Sequence, residues 1–212
     1  MKKIMFIAIV LAAELFAPPF IQAQGTLEVS NLGQTPTGSA SIGRDAWVAQ
    51  RIITGTDSSG YILNSIHLQM DAASGSPSGF NVSIYSINNS NFEPGNNLGS
   101  LSGSDPSAGG IFTYNASNIE LSPSTIYYIV LTGATSVAQG AYNWDASSFA
   151  EGNNQWQIDD LSLSSPDGSS WTLDARGEAF QLAVYATEVP EPATLALAGL
   201  GLACLNFWRR GK

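Results

Sequence analysis

Between its two ends the chain never keeps apolar residues at helical spacing for as many as twelve positions. They recur instead at every second position, in short runs bounded by Gly, Ser, Asn and Pro. Ile62, Ile66, Leu68 and Met70 alternate with Leu63, Ser65, His67 and Gln69, with Asn64 the one polar lapse. Phe80, Val82 and Ile84 alternate with Asn81, Ser83 and Tyr85, and Phe180, Leu182 and Val184 alternate with Gln181, Ala183 and Tyr185. The run from Ile126 to Leu131 is apolar on both faces, as a central strand covered on both sides requires. Trp47–Thr54, Ile111–Tyr114, Tyr142–Ala146, Trp156–Ile158 and Trp171–Leu173 are shorter strand candidates. The segments between them, such as Asp57–Gly60, Ser74–Gly79, Asn88–Asn97, Gly103–Gly110 and Ser165–Ser169, have turn composition. Eight to ten short strands at this spacing predict an all-β fold, a single jelly-roll-like β-sandwich.

The ends are different in kind. Lys2 and Lys3 precede an unbroken apolar run from Ile4 to Ala13, Pro18 and Pro19 follow, and Ala23 offers a small residue for cleavage. This is the layout of a secretory signal peptide over 1–23, with Gln24 the first mature residue. Residues 24–44 read as a lead-in, 45–187 as the sandwich and 188–212 as a separate tail. In that tail, Val189, Pro190, Glu191 and Pro192 stand before sixteen uncharged residues, Ala193 to Trp208, and then Arg209 and Arg210. As a helix the run would span about 24 Å, somewhat short of a bilayer's roughly 30 Å hydrocarbon core. Ala193, Leu195, Leu197, Leu200, Leu202 and Leu205 would face lipid, with Trp208 at the interface and the arginines held on the cytoplasmic side.

Charge supports the division. The whole chain carries −9, from 8 Lys and Arg against 17 Asp and Glu. Residues 24–189 alone hold fifteen acids against Arg44, Arg51 and Arg176, and contain no Lys. So acidic a body excludes nucleic-acid binding by phosphate neutralisation. A disulfide or zinc scaffold is excluded too, because Cys204, in the tail, is the one cysteine.

The Pro190-Glu191-Pro192 triplet, apolar run and basic end resemble the PEP-CTERM sorting signal of exported Gram-negative bacterial proteins. The resemblance implies that the tail is the substrate of an exosortase, a membrane cysteine protease-transpeptidase. It further implies passage through the inner membrane, with anchoring there or at the cell surface or extracellular matrix. The body resembles a second family, the choice-of-anchor R domain, over Ala49–Gly55, Gly60–Ile66, Gly75–Ser86 and Leu121–Tyr128. That likeness implies an extracellular domain carried on differing anchors, with no established activity and no site residues to transfer.

For the body's own chemistry three readings are open. The first is a non-enzymatic structural or adhesive module of the envelope or exopolysaccharide matrix. The second is a carbohydrate-binding module, with Tyr142, Trp144 and Trp156 as sugar-stacking candidates alongside Trp47 and Trp171. The third is a polysaccharide hydrolase, for which the adjacent Asp159 and Asp160 are the carboxylates that stand out. No catalytic residue is assigned: His67, the one histidine, lies on the polar side of its strand, and Gly75-Ser76-Pro77-Ser78-Gly79 carries Pro at the central position, where a nucleophile elbow has its serine. No cofactor is expected. Calcium is the candidate ion, at Asp57, Asp159 and Asp160, whose loops lack the spacing of a dedicated calcium loop.

Overall fold

The computed structural model of the chain describes residues 25–189 apart from positions 149, 154, 175 and 176. Among these residues there are fourteen strands and no helix. In chain order they are β1 Thr26–Ser30, β2 Gly38–Ile42, β3 Trp47–Ile53, β4 Tyr61–Gly75, β5 Asn81–Asn88, β6 Glu93–Leu101 and β7 Gly110–Leu121. Then come β8 Ile126–Thr132, β9 Gly140–Ser147, β10 Glu151–Asn153, β11 Trp156–Ser165, β12 Thr172–Leu173, β13 Ala179–Phe180 and β14 Leu182–Glu188. They form two antiparallel seven-stranded sheets packed face to face, the sandwich expected from the alternation.

β4 is the spine of the first sheet. β7 runs along one side of it, and β14 and β9 share the other, β14 beside residues 61–68 and β9 beside residues 70–75. β1 extends the sheet beyond β14, and β2 beyond β9. The second sheet runs β10-β11-β3-β8-β5-β6, with β12 paired to β11. The doubly apolar Ile126–Leu131 segment is β8, central as its composition requires.

Four strands, β1, β2, β6 and β10, were not expected. β1 and β2 lie in the segment read as a lead-in, so the sandwich begins at Thr26 rather than at residue 45. β6 occupies much of the Asn88–Asn97 stretch read as a turn. β1 and β6 are edge strands and β2 pairs only with β9, so each needs a single bonded side. An edge position tolerates the Pro94 and glycines of β6 that a central strand would reject. Asn64 also has a different meaning. The pairing with β7 slips between Leu63 and Ser65, a bulge that switches faces. Leu63 is therefore fully buried while Ile62 is only half-buried; beyond the bulge Ile66, Leu68 and Met70 point inward as expected.

A corner at Phe180–Leu182 organises the middle of the molecule. The strand leaves β9 after Phe180 and joins β4 at Leu182, so backbone groups at the step need other partners. Two buried side-chain amides, Asn31 and Gln50, supply most of them. Asn31 donates to the Phe180 carbonyl at 3.1 Å and accepts from Leu182 N–H at 2.7 Å. Gln50 crosses from the second sheet to accept Phe180 N–H at 2.8 Å. The carbonyl of Gln181 accepts from Gln69 N–H and Trp144 Nε1, while its side chain donates to the carbonyl of Gln34. A smaller apolar cluster covers the outer face of the second sheet, with Ala49, Tyr128, Val130, Leu163 and Trp171 at its centre.

Candidate functional site

The tail joins the body at one end of the sandwich. Thr26 of β1 pairs with Ala186 of β14, so the chain enters and leaves on the same side. Glu188 pairs with Tyr61, and Val189 N–H donates to the Gly60 carbonyl at 3.0 Å. Gly60 closes a tight turn in which its N–H reaches the Asp57 carbonyl at 3.1 Å. Its φ of +80° is left-handed, and a Cβ there would lie 2.9 Å from the Leu121 carbonyl oxygen, so only glycine fits. The carboxylate of Asp57 ties the same turn by accepting from the Ser59 backbone and hydroxyl, and these bonds hold its pKa below the usual range.

A cleft of about 690 Å³ opens beside this junction, lined among others by Glu28, Thr56, Asp57, Tyr61, Gln155 and Glu188. The residues lining it include three carboxylates and no base. Burial raises the pKa of Glu28, and the charge of Glu188 adds to the effect. Thr187 is held by its hydroxyl to Asn64 Oδ1 at 2.9 Å, which ties the end of β14 to the bulge in β4.

The aromatic candidates lie elsewhere, and the structure corrects the stacking reading. Tyr142 and Trp144 share a strand face as expected, but that face points into the core. Trp144 is completely buried, stacked on Phe180 at 4.6 Å between ring centroids, with its indole N–H held by Gln181. Tyr142 donates to Asp105 Oδ2 at 2.7 Å and packs edge-on to Phe80. Trp156 is 1% exposed and meets Tyr61 edge-to-face. Ring faces covered in this way are core packing and form no platform for a sugar. Trp171 caps the outer cluster, and Trp47 is half-buried beside it against the Gly168 turn.

The acidic candidates are engaged internally. Asp159 accepts from Nε and Nη2 of Arg51 in a two-pronged pair whose side chains are 16% and 18% exposed. Burial works against the Asp159 charge, but the Arg51 hydrogen bonds prevail and its pKa is lowered. The neighbouring Asp160 is raised by its hydrogen bond to Asp159. The Arg51 guanidinium already occupies Asp159 Oδ2, while the Asp160 side chain is exposed. Among the described residues no three Asp, Glu, His or Cys side chains gather where a metal ion is held. His67 lies against Tyr185 at 4.5 Å between rings, and burial lowers its pKa.

One pair escaped the sequence reading. Asp145, 3% exposed, interacts with Asp71 of β4, and burial first and Asp71 second push its pKa up to about 6. Its Oδ1 has no hydrogen-bond partner. Nothing in the sequence marks this pair, because the two residues meet only through the pairing of β4 with β9.

Residues 188–210 match the PEP-CTERM protein-sorting motif. That motif implies an exported protein, sorted at a membrane by an exosortase toward the cell surface. No curated protein matches the chain. Of the expected sorting residues, Val189 is the last described; Pro190, Glu191, Pro192 and the anchor from Ala193 to Arg210 lie outside the described residues, as does the expected signal peptide. No helix among the described residues is long and apolar enough to cross a membrane.

Proposed function

We propose that this chain is a surface protein of a Gram-negative bacterium with a non-enzymatic body, structural or adhesive in the envelope or exopolysaccharide matrix. The observation that carries this reading is the junction itself. The sorting motif begins at Glu188, within the last strand of the sandwich, so sorting delivers the whole folded body as one unit. The intramolecular engagement of Asp57, Asp105 and Asp159 favours a structural body over a catalytic one. The likeness to choice-of-anchor domains points the same way. Mass spectrometry of the native protein tests the sorting half: a C-terminus trimmed within the tail is expected, and an intact Lys212 would overturn it. Partition of the trimmed protein with the surface or matrix fraction, and its loss on deletion of the exosortase, tests the location.

A second reading, glycan binding, is favoured by the outer face of the second sheet. The register sets Asn97, Tyr85, Tyr128 and Arg51 in one row across β6, β5, β8 and β3. Tyr85 is half-buried there beside the exposed Asn97, an aromatic ring and an amide on one surface. Binding on a glycan array that Tyr85→Ala abolishes, with stability retained, would establish this reading. Binding that survives the substitution would exclude this face.

A further inference from the structure

The junction constrains how a sorting enzyme reaches its substrate. Val189 is hydrogen-bonded to the body, and Pro190 follows it directly. Each residue of extended chain spans at most about 3.6 Å, so Pro192 lies within about 11 Å of Val189. An enzyme that takes the Pro190-Glu191-Pro192 triplet into its active site therefore meets the sandwich at this end, with no spacer to hold it away.

Two further observations single out the same face. β1 also begins here, with Thr26 paired to Ala186 near the end of β14. The cleft at that end carries Glu28, Asp57 and Glu188 without a balancing base among its described residues. Such a surface is repelled by anionic lipid headgroups and complementary to a cationic protein surface.

We propose that this end face, centred on Thr56, Asp57, Gln155 and Glu188, is a docking surface for a cationic extracytoplasmic face of the exosortase. This rests on the sorting reading above. The enzyme then recognises the folded end of the body together with the tripeptide, and the Val189–Gly60 hydrogen bond holds Val189, the residue before it, against that end. The opposite end, around Ala138, takes no part; β4, fifteen residues long, separates the two ends by about 45 Å.

The test uses the full-length chain in cells that express an exosortase. A photo-cross-linking residue at the exposed Thr56 or Gln155 is expected to capture the enzyme, and the same residue at the exposed Ala138 is not. Thr56→Lys with Gln155→Lys is expected to slow tail processing about tenfold by adding like charge to the contact. A ten-residue Gly-Ser spacer between Val189 and Pro190 is expected to abolish that sensitivity to charge, because the body no longer has to meet the enzyme. Processing without any cross-link from Thr56 or Gln155, or cross-links from these positions to lipid alone, would overturn the docking surface and leave sorting intact. An intact Lys212 in the unmodified chain would overturn sorting, and the docking surface with it.

Discussion

The side-chain oxygen of Gln50, on the second sheet, accepts the backbone N–H of Phe180, on the first, at 2.8 Å. Gln50 is completely buried, and its amide nitrogen donates to the Asp159 carbonyl at 2.6 Å. One side chain thus ties the corner where a strand changes neighbours to the facing sheet. A fully buried amide is tolerated because its oxygen and nitrogen both have partners. Removing it would orphan Phe180 N–H in a site closed to water.

Gln50→Leu is therefore expected to destabilise the body by about 1–3 kcal/mol despite its similar volume. Urea denaturation of the purified body measures this. An unchanged midpoint would mean that the corner relaxes to find another acceptor.

Trp144→Ala removes a fully buried ring that stacks on Phe180 and donates to the Gln181 carbonyl. The expected cost is about 3–5 kcal/mol. A protein that keeps its stability and instead loses sugar affinity would contradict the buried placement.

Gly60→Ala combines strain at φ +80° with a contact of 2.9 Å to the Leu121 carbonyl. A loss of more than about 1 kcal/mol is expected. The same substitution displaces the acceptor of Val189 N–H, so amide exchange at Val189 should rise more than at Val184 in the middle of β14. Equal changes at the two positions would deny a local effect.

The Asp145 carboxyl titrates near pH 6 in the folded protein, against an ordinary value of 3.8. Over that window the unfolded chain has released this proton while the folded protein still holds it. The group's contribution to stability is thus full below about pH 4 and is lost as pH rises through about 6. Carboxylates with lowered pKa, such as Asp159 and Asp167, pull the other way, so the informative quantity is a difference between proteins. Unfolding free energies of wild type and Asp145→Asn, compared at pH 4.5 and 7.5, should show the wild type relatively more stable at the lower pH. Parallel profiles would rule out the buried carboxyl as the cause.

Calcium is expected to move the melting temperature by less than about 1 °C at millimolar concentration, since Asp159 is held by Arg51 and Asp57 by its own turn. A rise of several degrees that EDTA reverses would show that an ion displaces one of these contacts.

Local pattern was enough to read the class of fold, the central place of β8, the turns at Asp57–Gly60 and Ser165–Ser169, and the sorting tail. Each depends on residues close together in the chain: a period of two, a run of turn formers, or a triplet before an apolar stretch. Edge strands were less legible. β6 needs hydrogen bonds on one side only and so carries the Pro and Gly of a loop.

Which face of a strand points inward is set by long-range packing. Alternation places Tyr142 and Trp144 on one side of a strand, but whether that side meets water or the facing sheet depends on the whole packing, and here it is the core. The bulge at Asn64 reverses the faces of β4 through its pairing with β7, which no local pattern encodes. The Asp71–Asp145 pair and the Gln50–Phe180 bond likewise join residues far apart in the chain. They exist because strand register and sheet stacking bring together polar groups that are distant in the chain, and only the folded chain sets that register.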